Sequence, residues 1–404
     1  VNFILGNNGT GATSFRKDGT GTWTMPLVST YTGATTVAGG RLKIGVSSAI
    51  NASSALTVSP TVAAGSAILD LQTFSLGVSS LTLGGAASGA ATVTGSGAAA
   101  LSLGGGVTYS ATGVPGQASI SVPSLDVGAA ARTFTVGDSA NASVDLIVSS
   151  VISGAGGITK AGAGTLELSG VNTFAGGLTI DAASASNLGI IIASANNALG
   201  TGPSTVRFNT NALGVQVQLV GGITLGNSGF STSGAGLAGT VDGLFRSVSG
   251  NNTITGPVTL TGGGGSSTFR ADAGATLTFS GNIGADTNTV RFINVVGDGN
   301  FAFGGVIAQT LTSGGSTGLW SMNSGVTRIT GGANTYALAT GIGNGSTLEV
   351  ALLANGGANS SIGAAPVAAA NLILDAGTLR YVGTGAQSTN RLFSVGSGGG
   401  SLDA

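Results

Sequence analysis

The chain has 404 residues, 75 of them glycine; it is 42% hydrophobic and 7% charged, has a formal net charge of −1, and contains neither cysteine nor histidine. So few, dispersed charges exclude nucleic acid and anionic membrane surfaces as partners, since both need clustered Lys or Arg. The missing residues exclude disulfides, thiolate nucleophiles, Ser-His pairs and imidazole metal sites.

The N-terminal Val1-Asn-Phe-Ile-Leu5 reads as an ordinary core-forming strand, and strict alternation of apolar and polar residues follows in chain order. It is seen in Leu42-Lys43-Ile44, Thr165-Leu166-Glu167-Leu168-Ser169, Thr205-Val206-Arg207-Phe208-Asn209, Val215-Gln216-Val217-Gln218-Leu219, Val290-Arg291-Phe292 and Leu379-Arg380-Tyr381. Period two means β-strand. The pattern predicts that Leu166, Leu168, Val206, Phe208, Val290 and Phe292 point inward. Lys43, Asp145, Glu167, Arg207, Arg291 and Arg380 are then expected on the solvated side. No stretch of helical period stands out, and Gly, Ser and Thr interrupt every apolar run, so no transmembrane helix is expected.

A longer repeat lies above the alternation. Gly21-Thr-Trp-Thr-Met-Pro-Leu-Val-Ser-Thr-Tyr31 aligns without a gap with Gly164-Thr-Leu-Glu-Leu-Ser-Gly-Val-Asn-Thr-Phe174. A third copy, Gly325-Val-Thr-Arg-Ile-Thr-Gly-Gly-Ala-Asn-Thr-Tyr336, carries one extra residue near Gly332. Each is followed by a related string: Ser48-Ala-Ile-Asn51, Asn197-Ala-Leu-Gly200 and Ser360-Ser-Ile-Gly363. The chain thus divides into modules of about 19–163, 164–324 and 325–404, the last incomplete.

Short strands separated by Gly-rich turns suit a sandwich, a propeller or a β-helix. A propeller would repeat every 40 to 50 residues with a fixed signature, and a sandwich of this length would need linkers between domains. Neither is visible. The expected fold is all-β: a right-handed parallel β-helix in coils of about 20 residues, each too small to fold without neighbours above and below.

The stretch Gly157-Ile-Thr-Lys-Ala-Gly-Ala-Gly-Thr-Leu-Glu-Leu-Ser-Gly-Val-Asn-Thr-Phe-Ala-Gly-Gly-Leu-Thr-Ile180 resembles the autotransporter-associated β-strand repeat, or passenger-associated transport repeat. The copy at 19–44 departs from it, with Trp23, Met25 and Pro26 where that repeat prefers Leu, Leu and Ser. The resemblance implies a β-helical passenger exported by a Gram-negative bacterium, displayed outside the cell, with an outer-membrane β-barrel elsewhere in the full-length chain.

Several constellations bear on chemistry. Arg270, Asp272, Asp286, Arg291 and Asp298 fall within a few coils, and neighbouring acids and bases are how β-helical polysaccharide lyases and hydrolases build a groove. The stretch supplies few carboxylates and few aromatic platforms, and outward positions in separate turns explain it. Asp286 and Asp298 lack the Gly-Gly-x-Gly-x-Asp pattern of a calcium roll. The run Gly262 to Gly265 is followed by no Lys-Ser or Lys-Thr of a phosphate loop. Thr92-Val93-Thr94 and Thr276-Leu277-Thr278 suggest an ice-binding array but do not recur at coil spacing. Asn172-Thr173-Phe174 and Asn334-Thr335-Tyr336 read as a turn leading to an aromatic beside the core. No catalytic, cofactor-binding or metal residue is assigned, no cofactor is expected, and the chain is not read as an enzyme.

The leading function is a structural stalk or passenger segment of a large cell-surface protein, open to self-association into a fibre or surface layer. Beside it stand an adhesin for glycan or matrix and a β-helix polysaccharide lyase or hydrolase. Residues Val395 to Ala404 carry no capping pattern, so both ends are expected to continue into more β-helix, in a longer chain or on another copy.

Overall fold

The computed structural model describes residues 4–404 apart from 62–64, 86, 183–188, 209–213, 235–241, 262–264, 287–289 and 311–315. Every pairing between its strands is parallel; the described helical content is the single 3-10 turn Ala369–Asn371. Strands stack into a parallel β-solenoid, as the alternation predicts. The chain forms two compact units, Val1–Ile180 with Leu188–Gly202 and Asp181–Asn187 with Pro203–Ala404.

In the first unit, successive coils contribute to two long sheets, and the middle coils add a third sheet of four strands. Alternation becomes columns, because in-register parallel pairing sets like positions above one another. On one sheet Leu42, Leu69, Val93, Ile120, Val148 and Leu168 form an unbroken inward column. On the four-stranded sheet Leu76, Leu101, Leu125 and Ile152 do the same. All ten side chains are buried. Coils in this unit vary in length from 19 residues, Trp23 to Leu42, to 28, Ile120 to Val148. They are mostly longer than the sequence suggested, because corners accept extra residues without disturbing the columns.

The second unit is built the same way with a different filling. One inward column runs Leu225, Ile254, Phe279, Phe303, Ile329 and Val350. A chain of phenyl contacts crosses its interior: Phe230 to Phe245 at 5.4 Å, Phe245 to Phe269 at 6.1 Å, Phe269 to Phe279 at 4.8 Å and Phe279 to Phe303 at 5.4 Å between ring centroids. Along its outside Arg328, Glu349, Arg380 and Asp403 stand in register as a ladder of alternating charge. Exposed pairs contribute little energy, but a one-residue slip would break every rung.

The inward assignments hold for Leu166, Leu168 and Val206. Glu167, Lys43 and Arg380 are half-exposed on the outer side. The side chains of Arg207 and Phe208, and residues Val1 to Phe3, lie outside the described residues. Two assignments are overturned. In the strand Val290–Val296 the register is opposite to the predicted one: Val290 is 58% exposed and Phe292 half-exposed, while Arg291 is buried. The segment places Phe292 beside Ile293, so both cannot face inward, and pairing of Ile293 with Leu319 and of Val295 with Phe269 decides for the second parity. Asp145 is buried as well, because it sits at a corner just before the strand Leu146–Val148, where alternation no longer applies. Its two carboxylate oxygens accept the backbone N–H groups of Ser139 and Thr165, both at 2.8 Å.

Candidate functional site

The repeated motif has a defined physical role in each coil that carries it. Lys17 and Lys160 occupy equivalent positions in the first two copies, and both are buried. Lys17 Nζ donates to the carbonyls of Asp18, Gly19 and Gly39, each at 2.8 Å. Lys160 Nζ donates to those of Ala161 at 3.1 Å and Gly162 at 2.7 Å. The ammonium thus closes the corner its own chain makes next. Gly162 permits this turn: it sits at φ +80°, and a side chain there would meet the carbonyl oxygen of Val136. Burial pushes the Lys160 ammonium down to about 8, against the opposing pull of Asp145. Burial raises Asp145, although its two backbone donors work the other way.

The asparagine before the aromatic spans three coils. Asn172 Oδ1 accepts from Ile152 N at 2.8 Å, and its Nδ2 donates to Ala198 O at 2.6 Å. Asn334 repeats the arrangement with Ile307 N at 2.8 Å and Ser361 O at 3.0 Å. The aromatics that follow, Tyr31, Phe174 and Tyr336, are fully buried. Their partner four residues on changes with them. Tyr31 bonds Thr35 at 2.6 Å and Tyr336 bonds Thr340 at 2.7 Å, whereas Phe174, without a hydroxyl, is followed by Leu178. Gly200 and Gly363 end the related strings because the Phe174 and Tyr336 rings occupy the space where their side chains would stand.

The charged constellation is only partly assembled. Asp272 takes Arg246 at 2.8 Å and Arg270 at 2.9 Å, and Arg270 reaches Asp242 at 3.4 Å. Burial alone would raise Asp272, but the two guanidinium groups outweigh it and hold its carboxyl below the usual range. Arg270 stacks on Arg246, not on Arg291, whose guanidinium points inward and donates to the carbonyls of Thr261 at 2.8 Å and Val290 at 3.3 Å. Asp298 follows the strand that pairs with Ser266–Ala271, one coil on from Asp272, and accepts from Ser324 Oγ at 2.7 Å on the coil beyond, so it forms no ion pair with that cluster. Among the described residues no group of three or more Asp or Glu could hold a metal ion, and no helix is long and apolar enough to cross a membrane. Gly262 to Gly264 of the glycine run lie outside the described residues.

Two outer-face features were missed by sequence reasoning. Thr36, Thr57, Thr82, Thr108 and Thr135 pair in register over five consecutive coils of the first unit, although neither Thr-x-Thr triplet belongs to that ladder. In the second unit Phe292 and Trp320 meet on the outside at 6.4 Å between ring centroids. Their spacing of one coil was visible, but the inverted register at Phe292 hid that both point outward.

Residues 15–44 and 158–183 match the passenger-associated-transport-repeat family. The chain carries passenger-associated transport repeats. The buried lysines are therefore the lysines of these repeats, and the third copy, at 325–336, lies outside the matched residues while reproducing their Asn and Tyr contacts. The chain is also 32% identical over 260 residues to the adhesin BmaC autotransporter of Brucella suis biovar 1 (strain 1330). That match covers 64% of this chain and 6% of the relative, so the chain spans a small part of the length of the curated relative it matches. No solved structure matches. Its repeats and this likeness make the chain an autotransporter-passenger-like repeat protein related to an adhesin.

Proposed function

We propose that the chain is a non-enzymatic stretch of an autotransporter passenger that acts as a stalk on the surface of a Gram-negative bacterium. Its export would use an outer-membrane β-barrel located elsewhere in the full-length protein. The observation that carries this reading is the transport repeat folded as an ordinary coil: Lys160 closes its own corner while Asn172 ties the coil to the one before and the one after. Contacts of this kind are local, so a chain emerging end-first can fold coil by coil onto what is already outside. The absence of cysteine suits such passage, since no disulfide loop can form beforehand. Lateral or end-to-end association into a fibre extends the same reading.

The test is deletion of residues 158–183 from the full-length protein in a Gram-negative host, with surface exposure followed by protease shaving of whole cells. Reduced display is expected. Normal display of a protease-resistant passenger would overturn the role given to the repeat. A polysaccharide panel should show no turnover, and turnover abolished by Asp286→Asn or Asp298→Asn would overturn the non-enzymatic part.

A further inference from the structure

The register of two neighbouring strands in the second unit runs against burial. In Val290–Val296, Phe292 faces out and Arg291 faces in; in Ser316–Ser321, Trp320 faces out while Thr317 and Ser321 face in. A solenoid gains by burying its aromatics, and local rules broken without structural gain concentrate at functional sites. Both exposed rings are also accommodated. Gly318 lies beside Phe292 and Gly341 beside Trp320 in the sheet, and each ring fills the space that a side chain at the glycine would need. Each ring therefore leans over its neighbouring glycine and stays half-exposed, the two ring planes inclined by 58°.

Between and beside them are polar groups. Asn294 is the register neighbour of Trp320, Ser266 that of Phe292. The Asn294 carboxamide makes no hydrogen bond to any other described residue, so its donors and acceptor are available. Met322 and Val290 complete an open groove of about 710 Å³ in which none of the described lining residues carries a charge. The charged cluster of Arg246, Arg270, Asp242 and Asp272 is internally paired.

We propose that this groove binds a neutral β-linked glucopyranose-type glycan, with Phe292 and Trp320 as stacking platforms and Asn294 and Ser266 as hydrogen-bonding groups. Equatorial hydroxyls leave the C–H faces of such sugars apolar and their rims polar, which matches ring faces bordered by an amide and a hydroxyl. An uncharged groove complements an uncharged ligand. A peptide strand has no way to pair here, because the backbone of Val290–Val296 is already bonded on both sides.

The test uses the 404-residue chain with Trp23→Phe, which leaves Trp320 as the sole tryptophan. Cellohexaose and laminarihexaose are titrated by calorimetry and by Trp320 emission. At least one hexamer should give saturable heat and shift the emission. Trp320→Ala should weaken binding by about tenfold or more, and Asn294→Ala should weaken it too. Trp320→Tyr should retain binding, which separates lost stacking from lost fold; a β-type circular dichroism spectrum checks each variant. No saturable heat with either hexamer at millimolar concentration overturns the proposal. So does binding indifferent to Trp320→Ala, or uptake of an apolar dye without either sugar, which would mark a protein-docking surface. Because binding is read on the isolated chain, its failure leaves the passenger reading standing, and failed export leaves the binding result standing.

Discussion

The two units solve one packing problem with different materials. The first fills its columns with Leu, Val and Ile and keeps two lysines inside its corners, while its outer face shows an in-register row of threonines. The second threads a chain of phenyl contacts through its core, buries Arg291, and turns Phe292 and Trp320 outward. Coil stacking needs only inward volume and paired backbone; what fills the volume is interchangeable, so the outer face is left for other purposes. The matched repeats lie in the first unit apart from their last few residues, and the aromatic groove lies wholly in the second.

The sharpest way to break the comparison is Phe269→Ala. It removes a ring that touches two others and should cost about 3–5 kcal/mol. Hydrogen exchange should show protection lost around Phe245 to Phe303 while Leu42 to Leu168 stays protected; uniform loss would mean that the units do not differ in cooperativity. Asn172→Ala should cost about 2–4 kcal/mol, since a buried N–H and a buried C=O both lose their partner. Asn334→Ala should cost the same in the second unit. Unequal losses in urea melts would show that the two asparagines are not equivalent.

The Lys160 prediction concerns pH. Its folded pKa of about 8 lies below the ordinary value of 10.5, so the unfolded chain holds the proton more tightly. Stability should therefore rise with pH between those two values, by about 3 kcal/mol in all, and be flat below about pH 8 on this account. A rise in urea midpoint that persists in Lys160→Met would assign it elsewhere. Smaller still, Tyr336→Phe should cost about 1 kcal/mol through the lost bond to Thr340. Phe174→Tyr, with Leu178 four residues on where the other copies have threonine, should destabilise rather than stabilise. Arg328→Ala, at the exposed end of the charge ladder, should leave the melting temperature unchanged within error.

Much of this was legible in the sequence. Period-two alternation, glycine at close intervals and the repeat around Phe174 determine a β-solenoid, because they encode inward columns and corners whatever the exact coil length. Local pattern also placed Leu166 and Leu168 inside, since each has polar neighbours on both sides. Tertiary structure alone decided the parity of Val290–Val296, where adjacent apolar residues make two registers nearly equivalent and the columns of Phe269 and Leu319 choose between them. It likewise decided that Lys17, Lys160 and Asp145 go inside, because a charged group is admitted only where carbonyls or N–H groups from neighbouring turns converge. The meeting of Phe292 and Trp320 is of the same kind. Sequence carries the spacing of one coil, but only the stacked coils turn that spacing into contact, since which face a residue occupies depends on the register of the strands on either side.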